Sequence, residues 1–216
     1  MTTSPSPRAA PDSRLGRALS AIPDAFTASW FLVLWCFPLA FGAGAVRNGM
    51  LLMLVEFVTL HGSVMLGHFV LSPNLSRSHR ALYLLGFGLF YSLFIGAFAL
   101  AFQAFWPVLA FGWLLAAKFA ALFASPAENA ARLQTMQATW GVGVMIYVGG
   151  VLLTSMLPVP RLGISREVQA LLDLPGSGLW VKQPQTLIAF GTIYFGLLSW
   201  SKWRQWRLPE NTRKRR

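Results

Sequence analysis

ALYLLGFGLFYSLFIGAFALAFQAFWPVLAFGWLLAA, residues 81–117, runs for 37 residues without one charged side chain. As a single helix it would be about 55 Å long, nearly twice the ~30 Å hydrocarbon core of a bilayer. Gln103, Trp106 and Pro107 offer the one place where it can turn at an interface. The stretch therefore reads as two crossings, about 81–102 and 106–124, and the fold class follows from it: an all-α, polytopic membrane bundle.

Working outward, three further charge-poor runs, 25–46, 133–160 and 183–201, each approach or exceed the ~18–20 apolar residues that span a bilayer. Composition agrees. Hydrophobic residues are 55% of the 216 and charged ones 12%, about half the share that covers the surface of a soluble domain. Six spans are expected, at about 26–46, 50–71, 81–102, 106–124, 136–157 and 185–203, forming one transmembrane domain over 26–203. Arg47-Asn48-Gly49 reads as a very short turn, and Arg77-Ser78-His79-Arg80 as a basic loop. Between the fifth and sixth spans, Ile164, Val168, Leu171 and Leu172 recur at helical spacing among Arg166, Glu167 and Asp173, the pattern of a short amphipathic helix lying on the membrane. Residues 1–25, rich in Ser, Pro, Ala and Arg, read as a loosely ordered tail. They lack the apolar core of a cleavable signal peptide, and Asp12, Asp24 and four prolines disfavour a mitochondrial presequence. Residues 204–216 read as a basic tail.

The net charge of +11 raises nucleic acid as a partner, but the charges sit at the edges of apolar runs. That placement suits anionic headgroups and topology control, and no aromatic-basic recognition motif accompanies it, so no nucleic-acid partner is expected. With both termini on one side, that side collects fourteen Lys and Arg against Arg47, Arg161, Arg166 and Lys182 on the other. The positive-inside rule then puts both termini in the cytoplasm, with the protein in the inner membrane. Cys36 is the only cysteine, so no intrachain disulfide forms. Small-residue stripes, Gly88-Ser92-Gly96 on the third span and Gly112-Ala116-Ala120-Ala124 on the fourth, suit close helix packing, within the bundle or in a homo-oligomer.

Ionisable groups deep inside a span occur only in the second: Glu56, His61 and His68. A carboxyl group at mid-bilayer costs about 2.5–3.5 kcal/mol on insertion scales, so Glu56 is expected to face protein and find a polar partner, with Thr154, Ser155 and Thr192 at suitable depth. His61 and His68 are seven apart, about 10.5 Å along the axis, too far to share one zinc. No metal site is expected and no cofactor can be named, although haem held by one histidine and a methionine such as Met145 stays open. Counting from the span ends puts His61, Tyr91, Tyr147 and Tyr194 at one mid-membrane level. Tyrosine ordinarily prefers the interface, so these four groups are expected either to form structural hydrogen bonds or to line a site for a ligand or protons.

Catalytic signatures do not accompany this pattern: there is no rhomboid-like serine motif, no phosphate loop and no acidic pair suited to metal-phosphate substrates. Gly141-Val142-Gly143 and Gly149-Gly150 lie inside a span and read as packing. Two functions compete. One is a membrane protein that handles a small ligand, an ion or protons through Glu56, His61, His68 and the three tyrosines. The other is an accessory subunit packed against a larger membrane complex of redox or light-harvesting type. An enzyme would need ligands or nucleophiles that the sequence does not display.

Overall fold

A computed structural model describes residues 14–72 and 74–204, except for the side chains at 126–128, 130–132, 134, 135 and 138. Residues 1–13 and 205–216, and with them most of both expected tails, lie outside the described residues. The described chain is all-helical, without strands. Its elements are α1 (Arg14–Cys36), α2 (Gly44–Val70), α3 (Arg77–Ala101), α4 (Trp106–Ala121), α5 (Pro126–Met156), α6 (Arg166–Leu171), α7 (Leu179–Lys182) and α8 (Pro184–Arg204). Four helices are long and apolar enough to cross a membrane: α1, α2, α3 and the 139–156 portion of α5.

The break inside the long apolar run falls where expected. α3 stops at Ala101, Gln103 takes a left-handed φ of 51°, and α4 resumes at Trp106 with Pro107 in its first turn, where the missing N–H costs nothing. Other boundaries differ. The first turn is at 37–43, not at Arg47–Gly49: Pro38 cannot continue the hydrogen bonding of α1, and Gly42 supplies a φ of 84° that L side chains rarely adopt. Arg47, Asn48 and Gly49 instead lie in the opening turns of α2. Residues 14–25 are helical rather than loosely ordered, and Pro23 sits within α1 without ending it. The basic segment 77–80 is the first turn of α3, started by Ser76, whose hydroxyl accepts from the His79 amide at 3.3 Å. The polar stretch 128–135 belongs to α5, which begins ten residues before the expected span.

Tertiary contacts explain the extension of α1. Arg17, Ala21, Asp24, Ala28, Phe31 and Trp35 recur at alternating spacings of four and three and face inward. This is the spacing of a helix-packing seam, and α8 supplies the other half. The Ser199 hydroxyl donates to the Ala21 carbonyl (3.0 Å), the Lys202 ammonium pairs with Asp24 (2.5 Å), and Phe31 stacks on Phe195. α1 and α8 therefore run antiparallel. The same reading of neighbours makes α3 and α5 antiparallel to α2, because Phe69 meets Tyr83, Gly62 meets Tyr91, Gly67 meets Met136 and Leu60 meets Gly143. Successive long helices thus alternate in direction. The start of α1 and the end of α8 share one end of the bundle, called here the termini end. The other carries the 157–183 link.

That link is folded down. Ile164 and Leu172 are fully buried, the Trp35 indole donates to the Pro160 carbonyl, and Gln169 donates to the carbonyls of Val181 and Lys182. Arg47 donates to the Asp173 carbonyl at 2.6 Å and pairs with its carboxylate at 3.3 Å. α2 is the central helix, touching α3, α4, α5 and α8. The first half of α8, Pro184–Gly191, is buried at every position.

Candidate functional site

Glu56 lies near the middle of the 27 residues of α2, facing α8. The Tyr194 hydroxyl donates to its Oε1 at 2.7 Å, and the Tyr194 side chain is entirely buried. Beside it, the Tyr147 hydroxyl of α5 donates to the Met53 carbonyl at 3.0 Å, one turn before Glu56 on α2. The two tyrosine rings meet edge to face with centroids 5.2 Å apart. Three helices thus converge on one carboxyl group. Thr154 and Thr192, expected as partners at this depth, bond back to their own helices, to the carbonyls of Gly150 (2.8 Å) and Ile188 (3.1 Å).

The other expected site residues stand apart. His61 donates from Nδ1 to the Phe57 carbonyl at 2.9 Å, since a carbonyl can only accept. Its ring lies 4.4 Å from Phe57, and Phe57 in turn touches Tyr147 at 5.6 Å. An aromatic ring therefore intervenes between the imidazole and the tyrosine pair. Tyr91 lies on the far side of α2, against Gly62 and Phe111. His68 is exposed beside Phe69. Of the six expected residues, the structure brings together Glu56, Tyr147 and Tyr194, leaves His61 adjoining, and separates Tyr91 and His68.

The surroundings are asymmetric along the bundle axis. Toward the link end, the site is closed by aromatic and aliphatic side chains seated in glycine hollows. Phe31 lies against Gly191, where a Cβ would come within 2.5 Å of its ring, and against Gly49; Phe190 fills the hollow at Gly150, where a Cβ would lie 2.7 Å away. Leu34, Leu51, Leu187 and Ile188 complete this plug, all fully buried. Toward the termini end, α1 and α8 carry a charged pair instead, buried Asp24 and its partner Lys202, with Ser201 beside them. Sequence reading missed this pair, because Asp24 was assigned to a tail and Lys202, at the end of the sixth span, was counted only toward the charge of the termini side. The alternating four-three spacing around Asp24 was the available signal, since it puts a carboxylate on an otherwise packing face. Lys118 of α4 also turns inward, with Nζ 3.6 Å from the Met136 sulfur.

Among the described residues, no three His, Cys, Asp or Glu side chains converge as metal ligands would. No family profile, curated protein or solved structure matches the chain.

Proposed function

We propose that the chain is a six-span protein of the cytoplasmic membrane, with both termini cytoplasmic, that handles protons through Glu56. Besides the four helices long and apolar enough to cross, the 16-residue α4 and the 21-residue α8 keep the alternation in direction, which supports six crossings. The basic residues support the orientation. Of the described ones, Arg14, Arg17, Arg77, Arg80, Lys118, Arg132, Lys202 and Arg204 belong to the termini end, against Arg47, Arg161, Arg166 and Lys182 at the link end. The termini end then meets anionic headgroups, and α6 lies on the opposite face.

One observation carries the proton reading: a carboxyl group in mid-bundle whose partner at 2.7 Å is the hydroxyl of a fully buried tyrosine. A carboxyl and a phenol exchange protons along a hydrogen bond without any larger substrate having to enter. Intramembrane carboxyls with such partners mark ion and proton pathways. In proteoliposomes with a pH indicator inside and a potassium diffusion potential imposed, proton flux is expected in the wild type. Glu56→Gln keeps the shape and can still accept from Tyr194, but should reduce flux by about 100-fold, the scale of losing a positioned proton-transfer group. Flux indifferent to Glu56→Gln refutes the reading.

A second reading, a subunit of a larger membrane complex or homo-oligomer, draws on α4. Gly112, Ala116 and Ala120 face outward there beside the exposed Leu109 and Trp113. Small residues on an outer face let another helix approach closely. Cross-linking through a cysteine at Ala116 in native membranes separates this reading from a lone bundle.

A further inference from the structure

The ion pair at the termini end joins one buried and one wet group: the Asp24 side chain is 12% exposed and that of Lys202 44%. Glu56 is bonded to Tyr194 of α8, the helix that also carries Lys202, so the carboxyl and the pair are joined through that helix. The sequence of α8 gives the line of approach. Ser201, two turns beyond Tyr194, shares its helix face, with Lys202 beside it, eight residues or about 12 Å of helix rise beyond Tyr194. α1 adds Pro23, which has no N–H and so leaves the Leu19 carbonyl without its helical donor, next to Asp24. In the opposite direction the polar groups at comparable distance on α8, Thr186 and Gln185, are buried and carry no charge. Charged and titratable groups facing the pair are Arg17 on the same α1 seam, Glu56 from α2, and Tyr194 from α8, with Tyr147 of α5 behind it.

We propose that the Asp24–Lys202 pair is the proton-exchange port of Glu56, opening to the cytoplasmic face; this rests on the proton-handling reading. A proton from cytoplasmic water adds to a carboxylate oxygen of Asp24, which cancels its charge and releases Lys202. The Asp24 O–H bond then breaks as that proton passes, through water admitted where the pair has parted, to the carboxylate of Glu56. Asp24, again an anion, re-pairs with the Lys202 ammonium and closes the seam. One proton has moved, no bond between heavy atoms has changed, and no oxidant or reductant is required. The pair is a gate because its closed form is the ion pair itself.

The full chain in proteoliposomes tests this with Asp24→Asn, which retains size and a hydrogen bond to Lys202 but cannot carry a proton. Glu56-dependent flux should fall by about 100-fold, with the unfolding temperature close to that of the wild type. Azide, a small weak acid that can enter the opened seam, should restore flux in Asp24→Asn and add nothing in Glu56→Gln. Should Asp24→Asn not fold, the neutral pair Asp24→Asn with Lys202→Gln carries the same expectation. Full flux in either variant, or a loss that azide does not restore, makes the pair a packing contact and overturns the port while leaving Glu56 as a proton carrier. Wild-type flux that does not depend on Glu56 overturns both.

Discussion

Tyr194 and Glu56 are each other's condition for burial. A phenol with no exposed surface needs an acceptor, and a carboxyl in mid-bundle needs a donor; at 2.7 Å each supplies the other. Tyr194→Phe keeps the ring packing against Tyr147, Phe190 and Phe195 but leaves Glu56 Oε1 unpaired. The expected cost is about 1–3 kcal/mol of stability, the penalty of an unsatisfied buried polar group. Tyr147→Phe removes a bond to the Met53 carbonyl, which α2 already engages through its own helical hydrogen bond. The expected cost there is about 0.6 kcal/mol, an ordinary interhelical value. Thermal unfolding in detergent ranks the two, and a Tyr147→Phe loss as large as that of Tyr194→Phe would contradict the argument. That Glu56 would have a partner was legible in the sequence, because a carboxyl group cannot be left in hydrocarbon. The identity of the partner was not. The expected second span, 50–71, centres near 60 and levels Tyr194 with His61, whereas α2 starts at Gly44, centres near 57, and brings Glu56 to the tyrosine. Sequence gives depth along a helix only as well as it gives the helix start, and gives no rotation about the axis.

Between elements, two close approaches are made where glycine meets phenylalanine. Gly191 of α8 receives Phe31 of α1, and Gly150 of α5 receives Phe190 of α8, with no room for a Cβ at either. Overpacking a filled interface of this kind typically costs about 1–3 kcal/mol, so Gly150→Leu and Gly191→Leu should each lower the unfolding temperature markedly. Gly112 of α4 has nothing within 4 Å of where a Cβ would stand, so Gly112→Leu should cost under about 0.5 kcal/mol in the isolated protein. Equal losses at the three positions in a thermal scan would show that the hollows are not what holds α1, α5 and α8 together. Gly149-Gly150 was already readable as packing from its place inside a span. The turn between α1 and α2 was misplaced because Arg47-Asn48-Gly49 has the polar, small-residue look of a loop. Tertiary partners make it helical: Arg47 reaches across to Asp173, and Gly49 lets Ile188, Phe31 and Leu34 close in on α2.

For the whole molecule, alternating apolar runs made the helices readable, whereas the pairing of the first long helix with the last depends on contacts 178 residues apart. That pairing bears on topology independently of charge. Ser199 bonded to Ala21 and Lys202 paired with Asp24 hold the start of α1 and the end of α8 at one end of the bundle, so under the proposed reading the number of crossings between them is even. α4, with 16 residues or about 24 Å, falls short of a ~30 Å core, and the Phe102–Phe105 turn must then dip below the headgroups. A membrane-impermeant maleimide distinguishes the two ends in intact cells once Cys36 is replaced by serine. A cysteine at Ser177, in the link, should be labelled from outside, and one at Ser20, exposed on α1, only after the membrane is permeabilised. Labelling of both from the same side would mean an even number of crossings between them and would remove the cytoplasmic port along with the six-span arrangement. Labelling of Ser20 alone from outside would keep the six crossings and invert them, against a twofold excess of Lys and Arg at the termini end among the described residues.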